Sequence, residues 1–223
     1  TKAAEEAADA RAVSGDPGFA LELAQALIHV ARLATGVRTL DVASDPMIGA
    51  PSAALQIVEF SDFLCAACQR ASKMNPIFLA NHRNDAVFVF KHFPLDTMCN
   101  DKVSRMVHPG ACHLAAASEC AHLQGKFWPF HDRIFEDAEH HKTTNVVDVV
   151  KELGLDAVQF RACLSSGQGM AAVKHDIAEA AKANVQSTPT YIVGGIPVPG
   201  GRSGSRQASP TPLTDAPKGP GRS

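Results

Sequence analysis

The sequence predicts an α/β fold in which a block of helices interrupts one β-sheet. Three observations support this prediction. A buried strand at 54–60 leads directly into the motif Cys65-Ala66-Ala67-Cys68 and a helix, and a second strand follows at 86–90. Several helical segments then fill about 109–182 before strand-like residues return at 190–193. A chain of 223 residues, 45% of them hydrophobic, suits one domain with a substantial core.

The first 40 residues predict an N-terminal helical extension. Residues 1–15 are rich in Ala, Glu and Asp and are assigned no function. The stretch 16–36 has a capping Asp, a Pro at the first helical position, apolar residues at helical spacing and a terminating Gly. Its apolar part, 19–34, carries Glu, His and Arg and is shorter than the roughly 20 apolar residues of a membrane span. An export signal or membrane anchor ahead of Thr1 is compatible with a sequence that lacks an initial Met.

The region from 41 to 98 predicts a linker followed by the first part of the sheet. Residues 41–54 contain Asp45-Pro46, Gly49 and Pro51, which indicate a linker. Residues 55–98 hold the two strands and the CxxC motif. The helix between the strands is expected from 68 to about 81, with a kink at Pro76.

The helical block is predicted as an inserted domain at 99–183. Its expected helices are 113–122, 127–135, 145–153, 156–164 and 168–182. Residues 184–199 complete the sheet, with a strand at 190–193 and a second at 196–198, which Pro197 favours as an edge strand. Residues 200–223 are rich in Gly, Ser, Pro and Arg and predict a disordered tail.

The CxxC motif is the strongest functional signal in the chain. A cysteine at the start of a helix lies among free backbone N–H groups at the positive end of the helix dipole, which favours the thiolate. We therefore expect Cys65 to be the exposed attacking and leaving sulfur, and Cys68, one turn inside, to close or resolve the disulfide. Two other interpretations stay open: half of a zinc site, which needs further ligands, or a structural disulfide, whose small ring removes little chain entropy.

Four stretches of the chain together resemble DsbA-type thioredoxin-fold proteins. They are Val58-Glu59-Phe60-Ser61-Asp62-Phe63-Leu64-Cys65-Ala66-Ala67-Cys68, Phe88-Val89-Phe90-Lys91-His92-Phe93-Pro94-Leu95, Gly125-Lys126-Phe127-Trp128 and Thr188-Pro189-Thr190-Tyr191. The similarity runs from about residue 45 to 199. It implies a thioredoxin fold with an inserted α-helical domain and the activity of a protein thiol:disulfide oxidoreductase.

The resemblance also implies roles for three further residues. Pro189 would be a cis proline facing the CxxC motif, and the backbone of Thr188 would bind an extended substrate segment. Glu59 would be a buried acid that assists proton movement at Cys68. From the residues alone, a trans proline starting a strand and an exposed strand-edge glutamate are the ordinary alternatives.

The sequence departs from the family pattern in two places. Ala66-Ala67 replaces the His- or Pro-containing dipeptides common in the family, so no side chain of the dipeptide stabilises the Cys65 thiolate. The tail after Gly200 lacks the amphipathic helix that covers one face of a thioredoxin sheet, and the predicted helix at 16–35 would have to cover part of it.

The leading functional hypothesis is a DsbA-like oxidase, without a cofactor, acting on cysteine-containing extracytoplasmic proteins. The resemblance suggests that a membrane quinone-linked oxidase, of the DsbB or vitamin K epoxide reductase kind, reoxidises the pair. The alternatives are an isomerase or reductase of the same fold, or a non-catalytic module that binds peptides or metal. A net charge of −2 argues against nucleic acid as partner. We expect a periplasmic or otherwise extracytoplasmic protein, with membrane tethering through a preceding segment as an option.

Six cysteines form an even set, which favours an oxidising compartment. Cys112 and Cys120 are eight positions apart on one predicted helix, about 12 Å along its axis and too far for a disulfide. The favoured pairing is Cys99 with Cys112 or Cys120, which leaves Cys163 paired or buried. Four reduced core cysteines are the alternative.

The histidines and aromatic residues of the helical block receive no catalytic role. Six histidines there show no metal-binding spacing and are expected mostly at the surface: His108, His113, His122, His131, His140 and His141. Four apolar residues are expected in the core: Phe127, Trp128, Phe130 and Ile134. The sequence therefore predicts no metal site.

Overall fold

The computed structural model describes residues 40–82, 85–136 and 145–199. Within these ranges the elements follow in the order β1 (Met47–Gly49), β2 (Leu55–Ser61), α1 (Ala66–Asn81), β3 (Ala86–His92), α2 (Ala111–His122), α3 (Phe127–Glu136), α4 (Val146–Glu152), α5 (Ala157–Ser166), α6 (Gln168–Lys182), β4 (Thr190–Val193) and β5 (Ile196–Pro199). The predicted N-terminal helix, the tail at 200–223, His140 and His141 lie outside the described residues.

The strands form one five-stranded sheet in the order β1-β3-β2-β4-β5. Strands β2 and β3 are parallel, and α1 provides the crossover that a parallel pair needs. Strand β4 returns antiparallel to β2 after five helices, and β5 pairs antiparallel with β4. The prediction of an edge position for the strand with Pro197 is confirmed, since a proline costs least where no neighbour needs its N–H.

The predicted linker at 41–54 is wrong in one respect, because it contains β1. This strand pairs antiparallel with β3, with Met47 opposite Val89. It has only three residues between turn-forming residues, so the sequence carries no alternating pattern to reveal it. Gly49 has a φ of +102°, and a Cβ there would lie 2.3 Å from the Ala86 carbonyl oxygen, so only glycine allows this close pairing.

The two faces of the sheet pack against different helices. Alternate residues of the central strands, such as Val58 and Val89, contact α6 through Ala180. The opposite face carries Ile57 and Phe88 and packs against the end of α1. A third cluster joins the CxxC motif to the helical block through Phe63, Phe90, Phe127, Phe130, Ile134 and Phe135, with Trp128 packed against it. The expectation that the aromatic residues of α3 form core is confirmed, with Trp128 partly buried.

Two disulfides hold the helical block together. Cys99 bonds to Cys112, which ties the loop after β3 to α2, and Cys120 bonds to Cys163, which ties α2 to α5. The first bond is one of the two favoured pairings, and the alternative of four reduced cysteines is wrong.

Helix α2 also lies very close to α6, where a Cβ on Gly169 would stand 2.3 Å from the Ala116 carbonyl oxygen. The small residues of α2 allow this approach.

A buried ion cluster connects β3, α6 and the segment before β1. The fully buried Lys91 has its Nζ 2.6 Å from an Asp45 oxygen and 2.9 Å from an Asp176 oxygen. The other Asp176 oxygen accepts the His92 backbone N–H at 2.8 Å. Burial and the neighbouring Asp176 charge raise the pKa of Asp45 to about 7. Burial disfavours the Lys91 ammonium, but the charges of Asp176 and Asp45 outweigh it and raise the pKa of Lys91.

Replacing this lysine should destabilise the fold strongly. Lys91→Met leaves two uncompensated buried carboxylates, and we expect the free energy of unfolding at pH 7 to fall by about 3–5 kcal/mol. In the variant the unpaired carboxylates have raised pKa values, so the folded state binds more protons than the unfolded state. The loss in free energy of unfolding should therefore become smaller as the pH falls to about 5. Urea denaturation at both pH values measures this.

The control is Lys102→Met, which removes a surface ion pair with Asp101. Its urea midpoint should match that of the unmodified protein, because exposed pairs contribute little. Equal losses in the two variants would contradict the role of the buried cluster.

Candidate active site

The CxxC motif lies where β2 ends and α1 begins. Asp62 shapes the turn between them: its Oδ1 accepts the Leu64 N–H at 2.7 Å and its carbonyl accepts the Cys65 N–H at 3.0 Å. Cys65 is the N-cap residue of α1, and no side chain caps the helix there. The free N–H groups of the first turn therefore lie beside the Cys65 sulfur.

Cys65 carries a thiol whose pKa is lowered to about 5. The largest cause is a hydrogen bond from the Cys68 thiol, and the Thr188 side chain and the backbone N–H groups of Cys68 and Ala67 add to it, together outweighing burial. As a thiol, Cys65 donates from Sγ to the Thr188 carbonyl oxygen at 3.4 Å. The expectation that Cys65 is exposed is wrong: the residue is only 8% exposed, because the Thr188 segment lies against its sulfur.

Cys68 has the opposite character. It is fully buried in the aromatic cluster one turn into α1. Burial raises the pKa of its thiol, and the hydrogen bond that it donates to Cys65 raises the pKa further. Both cysteines are free thiols in this structure. The pair therefore combines one sulfur that ionises readily with one that keeps its proton.

The Thr188–Pro189 peptide bond is cis, as the resemblance implies. The pairing of Thr190 with Phe60 brings the residues just before β4 beside the end of β2, next to the CxxC motif. The Thr190 hydroxyl donates to the Ser187 carbonyl at 2.7 Å and holds this turn. Thr188 and Pro189 are therefore brought together with Cys65 although more than 120 residues separate them.

Glu59 lies inside the sheet and is 2% exposed. It stands on the central strand β2, opposite Phe90 of β3 and Tyr191 of β4, so the alternative of an exposed strand-edge glutamate is wrong. Burial raises the pKa of its carboxyl to about 7, against hydrogen bonds that include one from Asn75 Nδ2 at 2.6 Å. The acid can exchange a proton near neutral pH.

Two polar residues beside the motif, Asp62 and His108, are given no role at the site by the sequence. The buried Asp62 carboxylate accepts the Leu95 N–H at 2.7 Å, and the same oxygen lies 2.8 Å from His108 Nδ1. The hydrogen bond to Asp62 raises the pKa of His108 against burial, with the charges of Asp62 and Cys65 adding to it. His108 belongs to the loop that the Cys99–Cys112 disulfide closes. The partners are 46 positions apart, so no local pattern connects them.

His131 also differs from its predicted surface position. It is buried among Phe90, Phe135 and Phe63, with ring centroids 5.2, 4.9 and 6.0 Å away. Burial lowers its pKa, so the ring is neutral at pH 7. A position on the inner face of the amphipathic helix α3 accounts for this.

Among residues 40–82, 85–136 and 145–199, no three or more His, Cys, Asp or Glu side chains are grouped as a metal ion would require. None of the helices described combines the length and the hydropathy of a membrane-spanning helix.

Most of the chain matches a known protein-family model. A model of the DSBA-like thioredoxin domain matches residues 56–206, which is more than half of the chain. The chain belongs to the DSBA-like thioredoxin domain family. Proteins with this DsbA-like fold are thiol:disulfide oxidoreductases. The predicted α/β thioredoxin fold with a helical insertion is thereby confirmed.

Solved structures with this fold are similar over most of the DSBA-like domain. BdbD from Bacillus subtilis has a TM-score of 0.60 at 22% identity, over 73% of this chain and 88% of that one. A thioredoxin-like oxidoreductase from Silicibacter pomeroyi DSS-3 has a TM-score of 0.56 at 23% identity, over 71% of this chain and 84% of that one. At these identities the likeness concerns the fold.

Curated relatives of this DSBA-like chain include proteins named Na(+)/H(+) antiporter NhaA. The relative from Herminiimonas arsenicoxydans is 32% identical over 187 residues, which are 79% of this chain and 28% of that protein. One from Mycolicibacterium gilvum is 30% identical over 71% of this chain and 25% of its own length. The chain thus spans about a quarter of these relatives.

The hydrogen bond between the two cysteines can be tested by titration. Cys68→Ala removes the main donor to the Cys65 sulfur, and we expect the pKa of Cys65 to rise from about 5 by about one unit or more. Cys68→Ser is the matched control, because its hydroxyl can still donate, and its Cys65 pKa should rise less. The pH dependence of Cys65 alkylation reports each value. Identical values in Cys68→Ala and the unmodified protein would refute this assignment.

Proposed function

We propose that this DSBA-like domain is a protein thiol:disulfide oxidoreductase that works as an oxidase through Cys65 and Cys68. The observation that carries the proposal is the contrast between the two thiols. Cys65, with a pKa of about 5, lies at the helix N-terminus against Thr188, while Cys68 is buried and its thiol has a raised pKa. One sulfur can leave as a thiolate at neutral pH, and the other can close the internal disulfide.

The exchange begins from the Cys65–Cys68 disulfide. A substrate thiolate attacks Cys65 Sγ, a bond forms between these sulfurs, and the electron pair of the broken S–S bond stays on Cys68. Glu59, with a pKa near 7, supplies the proton that Cys68 takes up. A second substrate thiolate then attacks the substrate sulfur of the mixed disulfide, and Cys65 leaves as a stable thiolate. The substrate gains a disulfide and the domain retains two electrons.

The direction of exchange follows from what stabilises the reduced domain. A thiolate that is stable at neutral pH makes the dithiol form more favourable, and the disulfide form correspondingly more oxidising. Here the stabilisation comes from the Cys68 thiol, the Thr188 side chain and backbone N–H groups, so the Ala66-Ala67 dipeptide need not contribute a side chain. This favours an oxidase over an isomerase or reductase.

The substrates in this proposal are cysteine-containing proteins presented as extended segments beside Thr188 and Pro189. The disulfides Cys99–Cys112 and Cys120–Cys163 are typical of an extracytoplasmic compartment such as the periplasm, where such substrates acquire their own disulfides. Reoxidation of the pair by a membrane quinone-linked oxidase completes the cycle, and tethering of the domain to the membrane through a preceding segment belongs to the same proposal.

Two substitutions test the assignment of the two sulfurs. With a reduced dithiol peptide as substrate, Cys65→Ser should abolish disulfide formation, because the attacked sulfur is gone. In reduced Cys68→Ser, reaction with an oxidised peptide should leave a mixed disulfide at Cys65, because nothing resolves it, and mass spectrometry will detect this adduct. The double variant Cys120→Ser/Cys163→Ser is the control and should retain turnover while it stays folded. Unchanged activity in Cys65→Ser would remove the proposal.

The redox potential decides the direction. Equilibration of the domain with glutathione measures the redox potential of the Cys65–Cys68 pair. We expect a potential closer to about −120 mV, which is strongly oxidising, than to about −270 mV, the potential of the reductant thioredoxin. A value near −270 mV would assign the domain as a reductase.

A further inference from the structure

The loop between β3 and α2, residues 93–110, lies against the turn that carries Cys65. The contact runs through Asp62, which stands in that turn and whose carboxylate is fully buried. A buried carboxylate is costly unless hydrogen bonds compensate for the water it has lost. The groups that reach Asp62 therefore decide how firmly the turn is held.

Both oxygens of the Asp62 carboxylate are engaged. Oδ1 accepts the Leu64 N–H at 2.7 Å, within the turn itself. Oδ2 accepts the Leu95 N–H at 2.7 Å and lies 2.8 Å from His108 Nδ1. Because a carboxylate only accepts hydrogen bonds, His108 is the donor in this contact and Nδ1 carries a proton. Asp62 thus joins the turn on one oxygen to the loop on the other.

The loop meets Asp62 through a closed set of hydrogen bonds. The Leu95 carbonyl accepts the N–H groups of Val107 and His108 at 2.9 and 3.0 Å. Leu95 and His108 are therefore bonded to each other as well as to the same carboxylate oxygen. The backbone of the loop places the His108 ring at Asp62, so this contact does not depend on the attraction of opposite charges alone.

A disulfide and a buried aspartate hold the ends of the loop together. Cys99 bonds to Cys112 in the first turn of α2. Asp96 is buried, and its Oδ2 accepts the Gly110 N–H at 2.9 Å. His108 lies between the two disulfide-bonded cysteines in sequence. The bond therefore limits how far the ring can move away from the turn, because a closed loop has fewer conformations.

The turn that Asp62 holds determines where the Cys65 sulfur lies. The Asp62 carbonyl accepts the Cys65 N–H at 3.0 Å, and Cys65 is the N-cap residue of α1. From this position the Cys65 sulfur lies 3.4 Å from the Thr188 carbonyl oxygen. A looser turn would let the sulfur move away from the N–H groups of α1 that stabilise its thiolate.

We propose that His108 is a positioning residue for thiol exchange at Cys65, that it acts through Asp62, and that the Cys99–Cys112 disulfide keeps it in place. The inference rests on the proposed function and adds a residue that sets the reactivity of the attacked sulfur. His108 binds Asp62 and leaves the chemistry to the two sulfurs of the motif, so it is not a catalytic residue.

The charges around His108 support the same role. The hydrogen bond to Asp62 raises the pKa of His108 against burial, and the charges of Asp62 and Cys65 add to this effect. An interaction between two charges is mutual, so an imidazolium at His108 also favours the Cys65 thiolate. The same imidazolium offsets the negative charge of Asp62.

The other titratable groups on the elements around this contact have different partners. On the side of β2 and α1, Glu59 and Cys68 act on Cys65. The loop and the start of α2 contribute five more: Asp96, which accepts backbone N–H groups, Asp101 and Lys102, which pair at the surface, and the exposed Arg105 and His113.

The pH dependence of Cys65 alkylation in the reduced full chain tests the positioning role. His108→Ala removes the donor to Asp62, so we expect the midpoint to rise from about 5 by about half a unit to one unit. His108→Asn is the matched variant, because its amide N–H can take the place of Nδ1, and it should remove at least half of the shift. A lower urea midpoint in His108→Ala with an unchanged alkylation midpoint would assign His108 to stability alone and overturn the inference.

A double-mutant cycle tests whether His108 acts through Asp62. Asp62→Ala removes the acceptor, so adding His108→Ala to it should move the alkylation midpoint by less than half as much as in the unmodified background. An undiminished shift would mean that the His108 charge acts on Cys65 directly, and would overturn the positioning role. His113→Ala, at an exposed histidine of α2, is the control and should leave the midpoint unchanged.

The double variant Cys99→Ser/Cys112→Ser tests the part played by the disulfide. Without this bond the loop gains freedom, so the alkylation midpoint should rise, but by less than in His108→Ala. Cys120→Ser/Cys163→Ser is the matched control, because it removes a disulfide that ties α2 to α5 and does not close the loop. Its midpoint should stay unchanged. Equal shifts in the two double variants would contradict a specific role of the Cys99–Cys112 bond.

The glutathione equilibrium and turnover separate failure of this inference from failure of the proposed function. A higher pKa of Cys65 makes the reduced domain less favourable, so His108→Ala should shift the equilibrium about three- to tenfold toward the Cys65–Cys68 disulfide. If Cys65→Ser abolishes turnover while His108→Ala matches the unmodified protein in midpoint and equilibrium, only this inference fails. If Cys65→Ser keeps full turnover, Cys65 is not the attacked sulfur and both fail.

Discussion

The pairing of β2 with β3 on one side and β4 on the other is the constraint on which the site depends. The parallel register with β3 buries Glu59 beside Phe90, and the antiparallel register with β4 sets Tyr191 on its other side. The same two pairings bring the end of β2, which leads into the CxxC motif, next to the cis Thr188–Pro189 bond. A one-residue slip of β2 would turn Glu59 to the opposite face and away from Asn75 of α1.

Cys65 and Cys68 are three positions apart, but the surrounding fold gives their sulfurs different chemistry. Cys65 is the N-cap residue of α1, and Cys68, Thr188 and the backbone N–H groups of the first turn together lower its pKa against its burial. Cys68 lies one turn into α1, fully buried in the cluster of aromatic side chains. The hydrogen bond between them stabilises one ionised form and disfavours the other, so the difference between the two pKa values is a property of the pair.

Much of this architecture could be predicted from the sequence, because regular elements repeat along the chain. Residue spacing predicts the unit of β2, the CxxC motif and α1. It also predicts the five later helices within a few residues of their observed bounds. The short strand β1 could not be predicted, since three residues carry no period. For the cysteines, the rise of a helix excluded a bond between Cys112 and Cys120, but only the packing of α5 against α2 assigns Cys163 to Cys120.

The polar contacts that complete the fold and the site join residues far apart in sequence. Lys91 and Asp176 are 85 positions apart, and Asp62 and His108 are 46 apart, so each appears in the sequence as an ordinary charged residue. The expectation that Cys65 is exposed failed for the same reason, because the segment that covers it arrives from 123 positions away. Burial of a group is decided by what folds over it.

Contacts between distant segments also explain how the pKa of Cys65 is lowered without a side chain from the Ala66-Ala67 dipeptide. The groups that stabilise the Cys65 thiolate come from two segments, which are the start of α1 with Cys68 and its backbone N–H groups, and Thr188 before β4. A third segment is the turn that carries Cys65, which Asp62 holds through contacts to Leu95 and His108. The last of these contacts reaches a loop closed by the Cys99–Cys112 disulfide. Because each segment is held by a different part of the fold, the acidity of Cys65 depends on the assembled domain, and an isolated peptide with this motif would lack it.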